Sequence, residues 1–154
     1  MEKKGFLYWV VNILLIIWQL PQYLVGLVMW PFLGKKTLVA ERHFNRCYSG
    51  TKMSGGISLG PIAYVSVRMS QKPPYVAHEL DGHTVQSKIL GPLYLLIIGL
   101  PSLVCAAFIN DMVVYNNVYT EKWANDCAGL ISTETGGLDF KDEYQDPQNK
   151  TYMA

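Results

Sequence analysis

The chain has 154 residues, enough for one domain; half are hydrophobic and only 16% charged, well below the usual quarter. A formal net charge of +1 gives no basis for nucleic-acid binding. Cys47, Cys105 and Cys127 lie far apart without a CxxC pair, which argues against a disulfide framework or zinc knuckle and for reduced or buried thiols in a cytoplasm-facing protein.

The charge deficit is concentrated in two segments. From Phe6 to Leu33 no residue is charged, and this run exceeds the ~20 residues that span a bilayer core. The expectation is an N-terminal transmembrane helix within residues 1–34, kinked at Pro21, with Trp9, Trp18, Trp30, Tyr8 and Tyr23 as amphipathic rings, those near its ends suited to the headgroup belts. A cleaved signal peptide fits poorly, because the run is too long and no small-residue cleavage site follows it. Residues 35–50 are basic and aromatic and are expected at the membrane surface; His43, with no partner at ligand spacing, reads as an interfacial residue.

Residues 54–68 show glycine punctuation followed by alternation of Ile62 and Tyr64 with Ala63, Val65 and Val67, which predicts a short strand or hairpin. Gly55, Gly56 and Gly60 match no phosphate-binding loop, so a turn is the better reading. Pro73 and Pro74 force an extended turn into a helix over about 75–90. The second uncharged segment, 89–110, is broken by Pro92, Gly99 and Pro101, which predicts a bent span or a re-entrant element. A further helix is expected over about 112–131. From residue 132 to 154 the chain is polar, acidic and rich in turn formers, and reads as a flexible tail whose Asn149 sequon is a chance match.

The expected fold class is therefore mainly α: integral membrane helices, a small helical site and a short β-strand or hairpin. Residues 35–131 form the functional domain, with the second membrane segment inside it. Lys35, Lys36, Arg42, Arg46, Lys52, Arg68, Lys72 and Lys88 outnumber Glu41, Glu79 and Asp81 between the two apolar runs, which places this loop and the site on the cytoplasmic face.

The chemistry lies in Val-Ala-His78-Glu79-Leu80-Asp81-Gly82-His83. It looks like the zinc-peptidase helix HExxH with one residue too many. Histidines at i and i+4 stand about 40° apart and share one metal; at i and i+5 a regular α-helix puts them about 140° apart, too far round. Three arrangements stay open. A single wide π turn, with Gly82 tolerating the distortion, returns both rings to one face. Alternatively, Glu79 and His83 at i, i+4 ligate with Glu121 or Asp81. In the third, no metal binds and the histidines are ordinary polar residues of a packed helix. Ionisable groups beside an apolar segment are costly unless paired, metal-bound or lining a wet cavity, which favours a site.

Thr120-Glu121-Lys-Trp-Ala124-Asn125 supplies a third candidate ligand in Glu121, with Asn125 on the same helical face. With the preceding motif this resembles the membrane gluzincin metallopeptidases of the HtpX and CAAX prenyl endopeptidase type, in which HExxH is followed by apolar spans and ExxA(D/N). The resemblance covers about residues 54–131. It implies a zinc ion held by His78, His83 and Glu121, Glu79 as general base towards a metal-activated water, and Asn125 orienting a ligand. Asp81 has no part in the family motif and is read equally as a group beside the ligands or as a solvated residue; Gln86 reads as a polar contact. The implied partners are a lipid bilayer and a peptide or membrane-protein substrate, and the short chain suits a homo-oligomer or a partner membrane protein. Two other functions stand beside this one: a non-catalytic membrane scaffold or regulatory protein with a degenerate motif, and a metal-dependent hydrolase of membrane lipids.

Overall fold

The computed structural model describes residues 5–42 and 44–141; His43, the tail from residue 142 and its sequon lie outside them. The described chain is mainly helical with small sheets. The first apolar run is not one helix. It breaks at Gln19 into α1 (Phe6–Trp18) and α2 (Leu20–Met29), the axis turning by 76° into α2 and the 3-10 turn Trp30–Leu33. Pro21 sits in the first turn of α2, where its missing N–H is harmless.

The physical reason for the break is polar. Gln19 and Gln22 are buried and bind Ser87 on the motif helix: Gln22 Nε2 donates to Ser87 Oγ (2.9 Å) and the Gly91 carbonyl (3.0 Å), and Ser87 Oγ donates to Gln19 Oε1 (2.8 Å). A straight helix would carry these amides away from their partners and leave them unpaired. Among the described residues no single helix is long and apolar enough to cross a membrane, but two bent helix pairs satisfy length and composition together. The second pair joins residues 73–93 to 95–108 with a bend of 117°. Its corner is the 3-10 turn Gly91–Leu93, with Pro92 in its first positions; a π segment, Leu95–Gly99, and α6 (Leu100–Phe108) follow.

Residues 36–66 hold more β-structure than sequence reading expects. Strands β1 (Lys36–Arg42), β2 (Asn45–Gly50), β3 (Gly56–Leu59) and β4 (Ile62–Ser66) form one mixed sheet in the order β1-β2-β4-β3. The hairpin β3–β4 is the element foreseen around Gly60, whose φ of 71° makes the turn. The weak β-former run Asn45–Gly50 is paired on both sides, antiparallel with β1 next to it in sequence and parallel with the more distant β4.

The pleat divides β4 between two cores. Ala63 and Val65 pack with Cys47, Val76 and Leu80 on the side of the motif helix. Tyr64 packs with Leu33 and Leu59 on the other side, and its hydroxyl donates to the Gly26 carbonyl of α2 at 2.9 Å. The sheet is thus held between α2 and the motif helix, and its edge strand β3 lies beside the latter. Short α3 (Val67–Ser70) leads into α4 (Pro73–Ala77). The expected helix over 112–131 is two, α7 (Met112–Asn116) and α8 (Tyr119–Cys127), followed by the hairpin β5 (Leu130–Ser132) and β6 (Leu138–Phe140). Part of the segment read as a tail is therefore ordered.

Candidate metal site

The helix that opens as α4 widens into one π segment, His78–His83, and closes as α5 (Thr84–Leu90). This is the wide turn that the i, i+5 spacing requires if both rings are to share a face. Their centroids lie 4.7 Å apart, nearly perpendicular at 83°. Leu80, on the opposite side, is fully buried in the sheet-side core, and burying such a side chain stabilises by roughly 1.5–3 kcal/mol. The widened turn therefore sends Leu80 into the core while both histidines face α8.

Helix α8 brings Glu121 to meet them. Glu121 Oε2 is 3.0 Å from His78 Nε2 and 3.4 Å from His83 Nε2. Ligands at 2.0–2.1 Å from one tetrahedral ion stand about 3.3 Å apart, and both edges of this triangle that meet at Glu121 are close to that separation. The other ring nitrogens are occupied. His78 Nδ1 is 2.8 Å from Asn125 Oδ1, and His83 Nδ1 is 2.7 Å from Gln86 Oε1. An amide oxygen only accepts, so each Nδ1 carries the proton and each Nε2 points its remaining valence at the shared centre. Gln86 is fixed in turn by donating to the Thr120 carbonyl at 2.7 Å.

Glu79 lies on the same side. One ligand atom each from His78, Glu79 and His83 fall within 4.8 Å of one another, so these buried groups form a set able to hold a metal ion. Two carboxylates thus compete for the third ligand position, and contact distance separates them. Glu121 is in direct contact with both Nε2 atoms, whereas Glu79 Oε2 is bound by Ser58 Oγ of β3 at 2.7 Å. Both carboxylates therefore stand beside the two imidazoles, Glu121 touching both rings and Glu79 held by Ser58. Gly56 of β3 makes this possible, because a Cβ there would collide with the Glu79 carboxylate.

The close crossing of the two helices depends on Gly82. A Cβ at this position would stand 2.6 Å from the Ala124 carbonyl of α8, so glycine is needed for approach and not for an unusual backbone angle. Ala124 is fully buried at the same crossing. Asp81, weighed equally as a group beside the ligands or a solvated residue, is partly exposed and pairs with Arg42 of β1 at 3.3 Å.

Three side chains not singled out by sequence complete the surroundings. Ser102 of α6 donates to Glu121 Oε1, Tyr115 of α7 places its hydroxyl 3.3 Å from Ser102 Oγ, and Ser58 holds Glu79. Ser102 and Tyr115 carry no local signal, since one is a lone hydroxyl in an apolar run and the other one of ten tyrosines. Gln86, read from the sequence as a polar contact, makes that contact with His83, its i, i+3 neighbour on one helical face.

The electrostatics ask for positive charge at the triangle. Burial works against ionisation of both partners, but the contacts outweigh it. His83 is desolvated, yet its Glu121 hydrogen bond and the charges of Glu79 and Glu121 raise it to about 9. Glu121 is likewise desolvated, yet His78 and His83 hold it well below the ordinary carboxylate range. Two imidazole nitrogens and one carboxylate are a donor set suited to a divalent cation, which replaces the imidazolium proton as the counter-charge.

No protein-family model, curated protein or solved structure matches the chain.

Proposed function

We propose that the chain is a zinc-dependent metallopeptidase held at a lipid bilayer, acting on a peptide or membrane-protein substrate from the cytoplasmic face. One observation carries the reading: a π turn at the inserted residue puts His78 and His83 Nε2 on the same Glu121 oxygen at 3.0 and 3.4 Å. Two histidines and one glutamate are the donors of catalytic zinc sites that keep a fourth position open. Bound there, the ion would supply Lewis acidity to the scissile carbonyl and acidify the attacking water.

The chain's own groups do the rest. Glu79, beside the triangle but held by Ser58, takes the proton of the attacking water and returns it to the leaving amine. Asn125 and Gln86 orient the two imidazoles, and Ser102 orients Glu121. A cavity of about 380 Å³ opens beside His78, Glu79 and Glu121 and admits the substrate. Strand β3, which has no partner strand on its outer edge among the described residues, borders the same opening and offers backbone groups to an extended peptide. Attachment to the bilayer is supported by the apolar side chains left exposed on α1 and α6, and the cytoplasmic orientation by the excess of Lys and Arg between the apolar runs.

The rival scaffold reading has its own support, because Glu121 and the imidazoles satisfy one another without any ion. A single variant separates the two. Glu79→Gln retains the metal but loses about 10²–10⁴-fold in peptide turnover if Glu79 is the base. Equal cleavage by the variant and the parent chain would remove Glu79 from that role, and the absence of bound metal in both would leave the scaffold.

A further inference from the structure

A second cavity, of about 580 Å³, adjoins the first. The two share Ser54, Met69, Tyr75 and Met112 as walls, so they form one groove. One end is acidic, at Glu79 and Glu121. The other is basic, at Arg68 and Lys72, both exposed. Neither cation has an ion-pair partner among the described residues. The Lys72 ammonium lies 5.5 Å from the centre of the Tyr75 ring, which positions it over the groove wall without neutralising it.

The open edge of β3 runs the same way. Tyr94 donates its hydroxyl to the Ser58 carbonyl at 3.1 Å and so occupies that end of the edge. Gly55 and Gly56 line the cavity at the metal triangle, and Ser54 lines both cavities. An extended chain laid along this edge therefore leads from the triangle to Arg68 and Lys72, past the apolar Met69 and Met112.

Resting on the peptidase reading, we propose that the groove selects peptides with an acidic residue a few positions from the scissile bond, held by Arg68 and Lys72. The opposite charges at the two ends also set register, because an acidic side chain is repelled from Glu79 and Glu121 and attracted to the basic end. The free backbone edge favours a peptide over a lipid phosphate as the occupant.

The test is cleavage-site profiling. The full chain in detergent micelles, loaded with zinc, is incubated with a peptide library of mixed sequence, and the products are sequenced by mass spectrometry. The expected result is enrichment of Asp and Glu at one fixed position, about fivefold over their background, the size that two partly exposed ion pairs support. The double variant R68E/K72E should exchange that preference for Lys and Arg at the same position, read from the product sequences and independently of its overall rate. Cleavage with no acidic preference, or with one that the double variant keeps, overturns the selectivity while leaving the peptidase standing. Absence of all cleavage overturns the peptidase reading and the selectivity with it. If the double variant changes only co-flotation with phosphatidylserine vesicles, the basic end is a lipid contact and the proposal fails.

Discussion

The half of the molecule around the metal triangle and the half made by the apolar helices reverse the usual partition between inside and surface. At the triangle, His78, Glu79, His83, Gln86, Thr120, Glu121 and Asn125 are all buried. On α1 no residue is buried, and Phe6 and Leu7 are 85% and 73% exposed; Phe108, at the end of α6, is 80% exposed. Burying polar groups is tolerated only when each finds a partner, and here they do: imidazole to carboxylate, imidazole to amide, amide to carbonyl. Exposing so much apolar surface is tolerated only when something other than water covers it. The first half is defined by its internal contacts and the second by its surroundings, so substitutions in the two should have opposite signatures.

The largest effect should come from shortening the π turn at its buried position. Deleting Leu80 restores the spacing of a regular motif but removes a core side chain, which costs roughly 2–5 kcal/mol and should unfold the chain or abolish metal uptake. Deleting Asp81 instead restores the same spacing and keeps Leu80; the metal should remain bound while the ion pair with Arg42 is lost. Metal titration of the two deletions checks the contrast, and equal behaviour would mean that Leu80 does not anchor the turn.

Next in size are the groups that hold the imidazoles. Asn125→Ala and Gln86→Ala should each weaken metal affinity about 10–100-fold with the fold intact, as read from competition with a chromogenic chelator. An unchanged affinity in both would show that the ring orientations are set by packing alone.

The protonation of His83 gives a smaller effect with a definite sign. In the metal-free chain its folded value, about 9, stands above the ordinary 6.5, so its contribution to stability is complete below pH 6.5 and is lost as pH rises through 9. The melting temperature of metal-free protein should therefore fall across that interval. Zinc displaces the same proton, so metal affinity should rise over it. A His83→Gln variant should lack the fall in melting temperature.

The smallest change in folding stability is expected in the other half. Leu14→Asp lies on the exposed surface of α1 and should shift unfolding by less than about 0.5 kcal/mol. Its partition into lipid vesicles should nevertheless weaken strongly, since a carboxylate at membrane depth costs about 2.5–3.5 kcal/mol. Unaltered partition would show that α1 faces something other than lipid.

Sequence made the polar half more legible than the apolar one. The i, i+5 histidines and Glu121 could be linked because a metal centre restricts which residue types converge, and a wide turn was one of three arrangements the extra residue left open. Gly82 was read as a place for distortion, whereas its role is close approach to Ala124, which depends on two helices far apart in sequence. The run Phe6–Leu33 read as one span because length and hydropathy are averages that outweigh two glutamines. Gln19 and Gln22 acquire their meaning only from Ser87 and Gly91, nearly seventy residues away. Strands β1 and β2 were hidden for a related reason, since Lys36, Arg42 and Arg46 gave the segment a basic character while the parallel pairing that ties this hairpin into the sheet, β2 with β4, is non-local.

The central claim is that His78, His83 and Glu121 hold one metal ion across the widened turn. Its most direct test is the metal content of the full chain and of Glu121→Gln, measured by inductively coupled plasma mass spectrometry after equilibration with zinc and removal of the excess. The account predicts about one zinc per parent chain and near-complete loss in the variant, with both proteins folded. No zinc in the parent chain, or equal zinc in the two, would contradict it.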